Sequence, residues 1–188
     1  MRSLILYSLL CLVLTSCSLP IATVLDEPLR SEGKSARLLN IRIERWEELR
    51  FSGLLALQEQ EDGLRYVLLD ATGVKLLEGL AKTDGKHIMI RAGGALKDAG
   101  LNEFLSEALA RLYLYLPEQL PCSRSWLLRL CCLQDSENKW SKSAYVGPVR
   151  LWQATEKEVD GGGGETTVTY CQPWLGVRIF LKKVDHIR

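Results

Sequence analysis

Leu39, Ile41 and Ile43 alternate with Asn40, Arg42 and Glu44, a period of two that gives a strand one apolar and one polar face. Strand-like runs follow at Arg50 to Gln58, Leu64 to Asp70, Val74 to Ala81 and Lys86 to Arg91. Asp62-Gly63, Thr72-Gly73 and Asp84-Gly85 separate them, and glycine in second place supplies the positive φ that tight hairpin turns require. Turns about ten residues apart predict an antiparallel meander. Gly53 and Gly79 fall inside two of these strands, where a missing side chain marks a bulge, a bend or a close approach. Strong curvature of the sheet accounts for both.

From Leu101 to Leu116 the period changes. Leu101, Phe104, Leu105, Ala108, Leu109 and Leu112 recur at helical spacing, with Glu103, Glu107 and Arg111 on the other face, which predicts one main helix. Asn102 suits its N-cap, Glu103 complements the helix dipole, and Pro117 ends the segment. Leu112 to Leu116 is more apolar than a surface helix needs. Strand signals return at Ser125 to Leu133, Arg150 to Lys157, Thr166 to Cys171 and Gly176 to Lys183. Asp135 to Lys142 reads as a loop, and the run Gly161 to Gly164 as a hairpin end. The expectation is about nine strands and one helix, an α+β fold that is mainly β.

The chain opens on a different pattern. Arg2 precedes an apolar run from Leu4 to Leu14 broken only by Ser8, too short to cross a membrane, which takes about 20 apolar residues. With small residues at its exit, it describes a secretory signal peptide. Leu14-Thr15-Ser16-Cys17 resembles the bacterial lipobox, in which the cysteine thiol takes a diacylglycerol and the leader is cut just before it. The resemblance implies a leader over residues 1–16, lipidation of Cys17, a tether over 17–36 and a domain over 37–188. An Asp after the lipidated cysteine favours the inner membrane in such proteins, so Ser18 implies the outer membrane. Pro20, Pro28, Gly33 and mixed charges without periodicity fit the tether.

Composition narrows the function classes. Loss of the first sixteen of 188 residues leaves a 172-residue chain, the size of one ordinary domain. Arg2 is the only one of the 24 basic side chains in the leader, so 23 remain against 23 acidic ones, and that balance offers no footprint for nucleic acid. A hydrophobic content of 47% argues against disorder.

No residue pattern for catalysis or metal binding emerges. Cys122, Cys131, Cys132 and Cys171 allow 3 pairings, and an oxidising periplasm permits a disulfide. Cys131 and Cys132 would point to opposite faces of a strand. Neither C-x-x-C nor paired histidines are present for a zinc site. His87 and His186 are the only two histidines, without a recognisable nucleophile motif such as G-x-S-x-G, and both read as surface residues. The glycine run precedes a Thr-rich strand and not the Lys-Ser/Thr of a P-loop. We therefore expect no enzyme activity, no cofactor and no metal. Trp46, Trp126, Trp140, Trp152 and Trp174 all lie outside the helix. They serve core and edge packing, or line a concave face that holds acyl chains.

Lipobox, meander, apolar helix and returning strands together resemble the LolA/LolB fold, an open antiparallel half-barrel covered by helices around an acyl-chain cavity. Phe51-Ser52-Gly53-Leu54-Leu55, Tyr66-Val67-Leu68-Leu69-Asp70-Ala71-Thr72-Gly73 and Leu112-Tyr113-Leu114-Tyr115-Leu116-Pro117 carry the likeness. The order of elements is also similar to that in a family of LolB-like bacterial lipoproteins, some encoded beside aryl-polyene pigment genes. The resemblance implies a lipid-anchored protein facing the periplasm, with a lipidated or acyl-chain ligand and a LolA-like carrier as partner. LolB receives lipoproteins from that carrier and inserts them into the outer membrane, partly through an exposed apolar loop residue. It makes Leu101, Phe104, Leu105, Leu109, Leu112 and Trp126 the candidates for lining or covering the cavity, with the helix as plug or lid. The alternative is a non-enzymatic structural lipoprotein that offers a sheet edge to an envelope complex.

Overall fold

The computed structural model describes residues 36–93, 100–117, 119–134, 139–158 and 166–184. Cys17, Ser18, the leader, the Gly161 to Gly164 run and His186 lie outside the described residues.

Eleven strands form one open sheet. In chain order they are β1 (Arg37–Arg45), β2 (Glu48–Gln60), β3 (Gly63–Leu69), β4 (Lys75–Lys82), β5 (His87–Ala92), β6 (Cys122–Ser125), β7 (Leu128–Gln134), β8 (Trp140–Val146), β9 (Val149–Glu158), β10 (Thr166–Gln172) and β11 (Val177–Lys183). Their spatial order is β5-β4-β3-β2-β1-β11-β10-β9-β8-β7-β6. Every neighbouring pair is antiparallel. Two meanders thus meet where β1 pairs with β11, placing Ile41 opposite Leu181 and Ile43 opposite Ile179. Alternation sets the face: Leu39, Ile41 and Ile43 of β1 and Val177, Ile179 and Leu181 of β11 are buried. Arg42 and Arg178 between them face out.

The link between the two meanders runs from one outer edge of the sheet to the other, because β5 and β6 are its two end strands. Helix α1 (Leu101–Leu109) lies in that link and continues directly into a π-helical turn, Ala110–Leu114, making one helix of 14 residues. Strands stand about 4.8 Å apart, so eleven would span roughly 48 Å if flat, against a helix about 10 Å across. This one helix nevertheless packs on β3, β4 and β5 and bonds to side chains of β8 and β10. The sheet must therefore curl round it. Leu105, Leu109 and Leu112 share one buried cluster with Leu55, Leu68, Leu77, Trp152 and Tyr170 from both meanders.

Both strand glycines fit a curved sheet, each for an identifiable reason. Gly79 sits opposite Tyr66, next to a register shift between β4 and β5. A methyl there would come within 2.5 Å of the Tyr66 hydroxyl and 2.6 Å of its ring. Gly53 lets the Leu69 carbonyl and the Phe51 ring approach, close to the shift between β1 and β2 at Ile43/Glu44.

Four expectations are corrected. Among the described residues the strands number eleven, not about nine, because Asp135 to Lys142 is not a loop throughout: Trp140 opens β8. Its inward positions are Trp140, Lys142 and Ala144, so a buried lysine hides the apolar alternation. Ser125 to Leu133 is not one strand either, since Trp126 and Leu127 form the turn between β6 and β7. Asn102 does not cap the helix; Gly100 stands there in left-handed backbone with no side-chain cap. The Asn102 side chain is instead buried, where its Oδ1 accepts the Tyr66 hydroxyl at 2.7 Å. The helix ends at Leu114, with Tyr115 already extended.

Candidate functional site

Inside the curled sheet, helix α1 presents an apolar face and three polar ties. Leu105, Leu109 and Leu112 retain at most 1% of their surface, and Leu101 and Phe104 pack at the margin of the same cluster. The structure thus brings together five of the six candidates expected to line or cover a cavity, and it packs them into a filled core. Trp126 is not with them. It is 87% exposed at the β6–β7 turn, because the turn projects it beyond the end of the sheet.

The first tie is at the helix start, where Tyr66 of β3 donates to Asn102. The second is Arg111, whose Nη1 donates to the Tyr170 hydroxyl at 2.7 Å and to Gln172 Oε1 at 3.3 Å. The Arg111 guanidinium also lies 5.7 Å from the Trp152 ring centre, and that ring stacks on Tyr170. The third is Lys142 of β8, which is wholly buried. Its Nζ donates to the Leu112 carbonyl at 2.6 Å and to the Tyr115 carbonyl at 3.3 Å.

Lys142 answers a local need of the helix. A π-helical turn bonds i to i+5, as Tyr115 N does to the Ala110 carbonyl at 2.9 Å, and the last carbonyls are left pointing at the sheet. A cation at a helix C-terminus satisfies them and complements the dipole. Burial pushes the Lys142 pKa down to about 8. Burial likewise holds the phenols of Tyr66, Tyr113 and Tyr170 up at about 12. Among the described residues no buried side-chain nitrogen or oxygen lacks a partner.

The remaining candidate chemistry sits elsewhere. Cys122 and Cys131 face each other across β6 and β7 and form a disulfide. Cys132 points the other way, buried and free, opposite Lys142 on β8. Burial raises its thiol pKa, which makes it unreactive. His87 lies on the surface of the edge strand β5, its Nε2 3.5 Å from Glu103 of the helix. Among the described residues no group of three or more His, Cys, Asp or Glu could hold a metal ion. A small pocket opens beside Tyr113, lined by Arg37, Leu57, Glu59 and Leu64.

Sequence reasoning missed Lys142 because it counted the lysine as the end of a polar loop. The signal that finds it is the spacing Trp140, Lys142, Ala144, two apolar side chains flanking one charge at strand period. Among the described residues no helix is long and apolar enough to cross a membrane. Compared with known proteins, the chain matches no protein-family model and no curated protein.

Proposed function

We propose that this chain is a LolB-like lipoprotein of the outer membrane, anchored through Cys17 and facing the periplasm, whose curled sheet binds or transfers acyl-chain cargo without catalysing a reaction. One observation supports the reading above others. The space inside the sheet is filled by a helix whose inward face is hydrocarbon, and side-chain ties to Asn102, Arg111 and the last carbonyls hold it there. A helix held by side chains can leave a sheet whose own backbone bonds stay intact.

The magnitudes allow such an exchange. Exposing Phe104, Leu105, Leu109 and Leu112 costs roughly 6–12 kcal/mol at about 1.5–3 kcal/mol per side chain. One sixteen-carbon acyl chain with about 14 methylenes returns roughly 11 kcal/mol at about 0.8 kcal/mol each. One chain thus offsets the apolar cost to within its range but not the polar ties as well, and a lipidated protein carries more than one chain. A LolA-like carrier would deliver such cargo.

Native mass spectrometry of the protein purified from cells and exchanged into lipid-free detergent should find acyl species bound at one per chain. A protein that stays empty, and takes up no acyl chain when incubated with a lipidated peptide, refutes the reading. The second reading is a structural lipoprotein presenting a sheet edge. It is favoured by β5, an end strand with Ile88, Met89 and Ile90 all exposed, an arrangement open to strand addition by a partner. In-cell crosslinking from β5 that repeatedly captures one protein, with no lipid bound, would select it.

A further inference from the structure

The two ends of the sheet differ in chemistry. Because every neighbouring pair is antiparallel, the turns after β1, β3, β6, β8 and β10 all fall at one end. Each of them carries exposed large apolar side chains: Trp46, Val74, Trp126 with Leu127, Val146 and Val149 flanking Gly147-Pro148, and Trp174 with Leu175. The two described hairpin turns at the opposite end, Glu61-Asp62 and Thr83 to Lys86, carry none. Leu116 and Leu120 are also exposed, but on the link into β6, whose start lies at the opposite end from these five turns. Apolar exposure at five turns of one rim is not the scatter expected of a folded surface.

Three of the exposed residues are tryptophans, Trp46 at 62%, Trp126 at 87% and Trp174 at 65%. Trp46 and Trp126 both hold left-handed backbone, at φ 53 and 50, where glycine or asparagine is the ordinary choice. Trp46 lays one face of its ring on Gly176 of the next turn and keeps the rest exposed, whereas turn geometry alone does not account for tryptophan at Trp126. The charge around them is informative too. On the β6 to β9 part of this rim the exposed ionic residues are Arg124, Arg129 and Arg150. Arg129 lies over the Tyr145 ring, Arg150 bonds to Gln153, and Arg124 has no ion pair with the described residues. On the β1 and β11 part, Arg50 pairs with Glu48 and Arg178 approaches Glu47 at 3.8 Å, with Arg45 in addition. The rim is thus cationic around Trp126 and Trp174, whose indole Nε1 donates to the Arg150 carbonyl at 2.9 Å. Indoles at headgroup depth beside arginines match the chemistry of a bilayer surface bearing anionic headgroups.

We infer that this tryptophan-arginine rim is a membrane-docking surface, fitted to a leaflet of anionic phospholipid, and a contact separate from the Cys17 anchor. Strand spacing places Trp46 and Trp126 six strands apart along the curve, roughly 29 Å at about 4.8 Å per strand. Contacts so far apart fix the tilt of the domain, which one flexible acyl tether cannot do. The inference goes beyond cargo binding, and it can fail while the cradle still takes acyl chains.

The test uses the full chain as purified from cells, added to vesicles whose acyl chains carry bromine, made either of phosphatidylglycerol with phosphatidylcholine or of phosphatidylcholine alone. Bromine quenches only indoles that reach the acyl boundary. Trp140 and Trp152, both buried, serve as unquenched internal references. Quenching should be strong in the anionic vesicles, weaker in the neutral ones, and should fall by about one-third for each of Trp46→Ser, Trp126→Ser and Trp174→Ser, as expected if all three sit at the interface. Arg124→Gln with Arg129→Gln should lower it in anionic vesicles only. No quenching above that with unbrominated lipid overturns the inference, as does equal quenching in the triple tryptophan variant. A blue shift that grows with protein concentration in the absence of vesicles also overturns it, assigning the rim to a second copy of the chain.

Discussion

Lys142→Met isolates the charge at the centre of the interior. Methionine keeps most of the aliphatic stem that packs beside Trp140, whose ring centre lies 5.8 Å from Nζ, and removes only the ammonium. The wild-type group titrates at about 8 in the folded protein because burial disfavours its charged form, against an ordinary value of 10.5. Between these values the unfolded chain binds the proton that the folded chain has released. Stability therefore rises with pH in this window, since the slope follows the protons bound by the unfolded state minus those bound by the folded one.

A difference of one pH unit in the proton affinity of folded and unfolded chains is worth about 1.36 kcal/mol, so from pH 7 to pH 9.5 the wild type should gain about 2 kcal/mol over Lys142→Met. Urea unfolding at half-unit intervals across that range measures it. The raised phenols of Tyr66, Tyr113 and Tyr170 act in the opposite sense, but only above about pH 10, where the unfolded phenols ionise first. Cys132 also opposes the trend once unfolded thiols ionise, and because the Lys142 charge bears on its titration, both chains carry Cys132→Ala in this comparison. At neutral pH the two chains should lie close together. The variant leaves the Leu112 and Tyr115 carbonyls without their donor, costing about 1–3 kcal/mol, while relieving the burial of a charge. Parallel pH profiles for the two chains would refute a buried, titrating Lys142.

Gly79→Ala places a methyl 2.6 Å from the Tyr66 ring, and overpacking of that kind costs about 1–3 kcal/mol. Denaturant unfolding should show the loss, and Tyr66→Leu in the same chain should recover part of it; additive effects of the two changes would contradict the contact. Labelled palmitate should enter the wild-type chain and not Cys17→Ser, and equal labelling of both would remove the anchor from the proposed function.

Legibility in the sequence followed burial. Where a strand buries one face, as at Leu39, Ile41 and Ile43, alternation is the direct consequence and could be read. The helix was legible for the same reason, because Leu105, Leu109 and Leu112 repeat on one face. Polar residues that serve the interior were not legible. Asn102 stands where a cap would, yet its partner is Tyr66, thirty-six positions away in the chain, and no local pattern encodes that. Lys142 and Trp126 failed in opposite directions, a charge that is buried and an indole that is not. Each reverses the rule that hydropathy reports depth. Lys142 is drawn inward by the helix carbonyls it satisfies, and Trp126 is held outward by a turn that leaves its indole facing whatever lies beyond the rim.

The three ties also constrain how the helix can move. Asn102 bonds to β3 in the first meander, whereas Arg111 and the carbonyls at the helix end bond to β10 and β8 in the second. A helix tied to one meander only could swing on that side with the sheet unchanged. Tied to both, it also sets the distance between them, so releasing either set of bonds frees the curl of the sheet to widen. The Arg111 and Lys142 ties are charge-assisted, worth about 1.5–3 kcal/mol per bond, against about 1 kcal/mol for the neutral Tyr66–Asn102 bond. In the proposed exchange, opening by loss of the weakest tie would begin at the helix start, on the side of β3. The tyrosine that would be freed there is the one for which Gly79 makes room, so a position of the sheet that admits no side chain lies beside the bond that yields first.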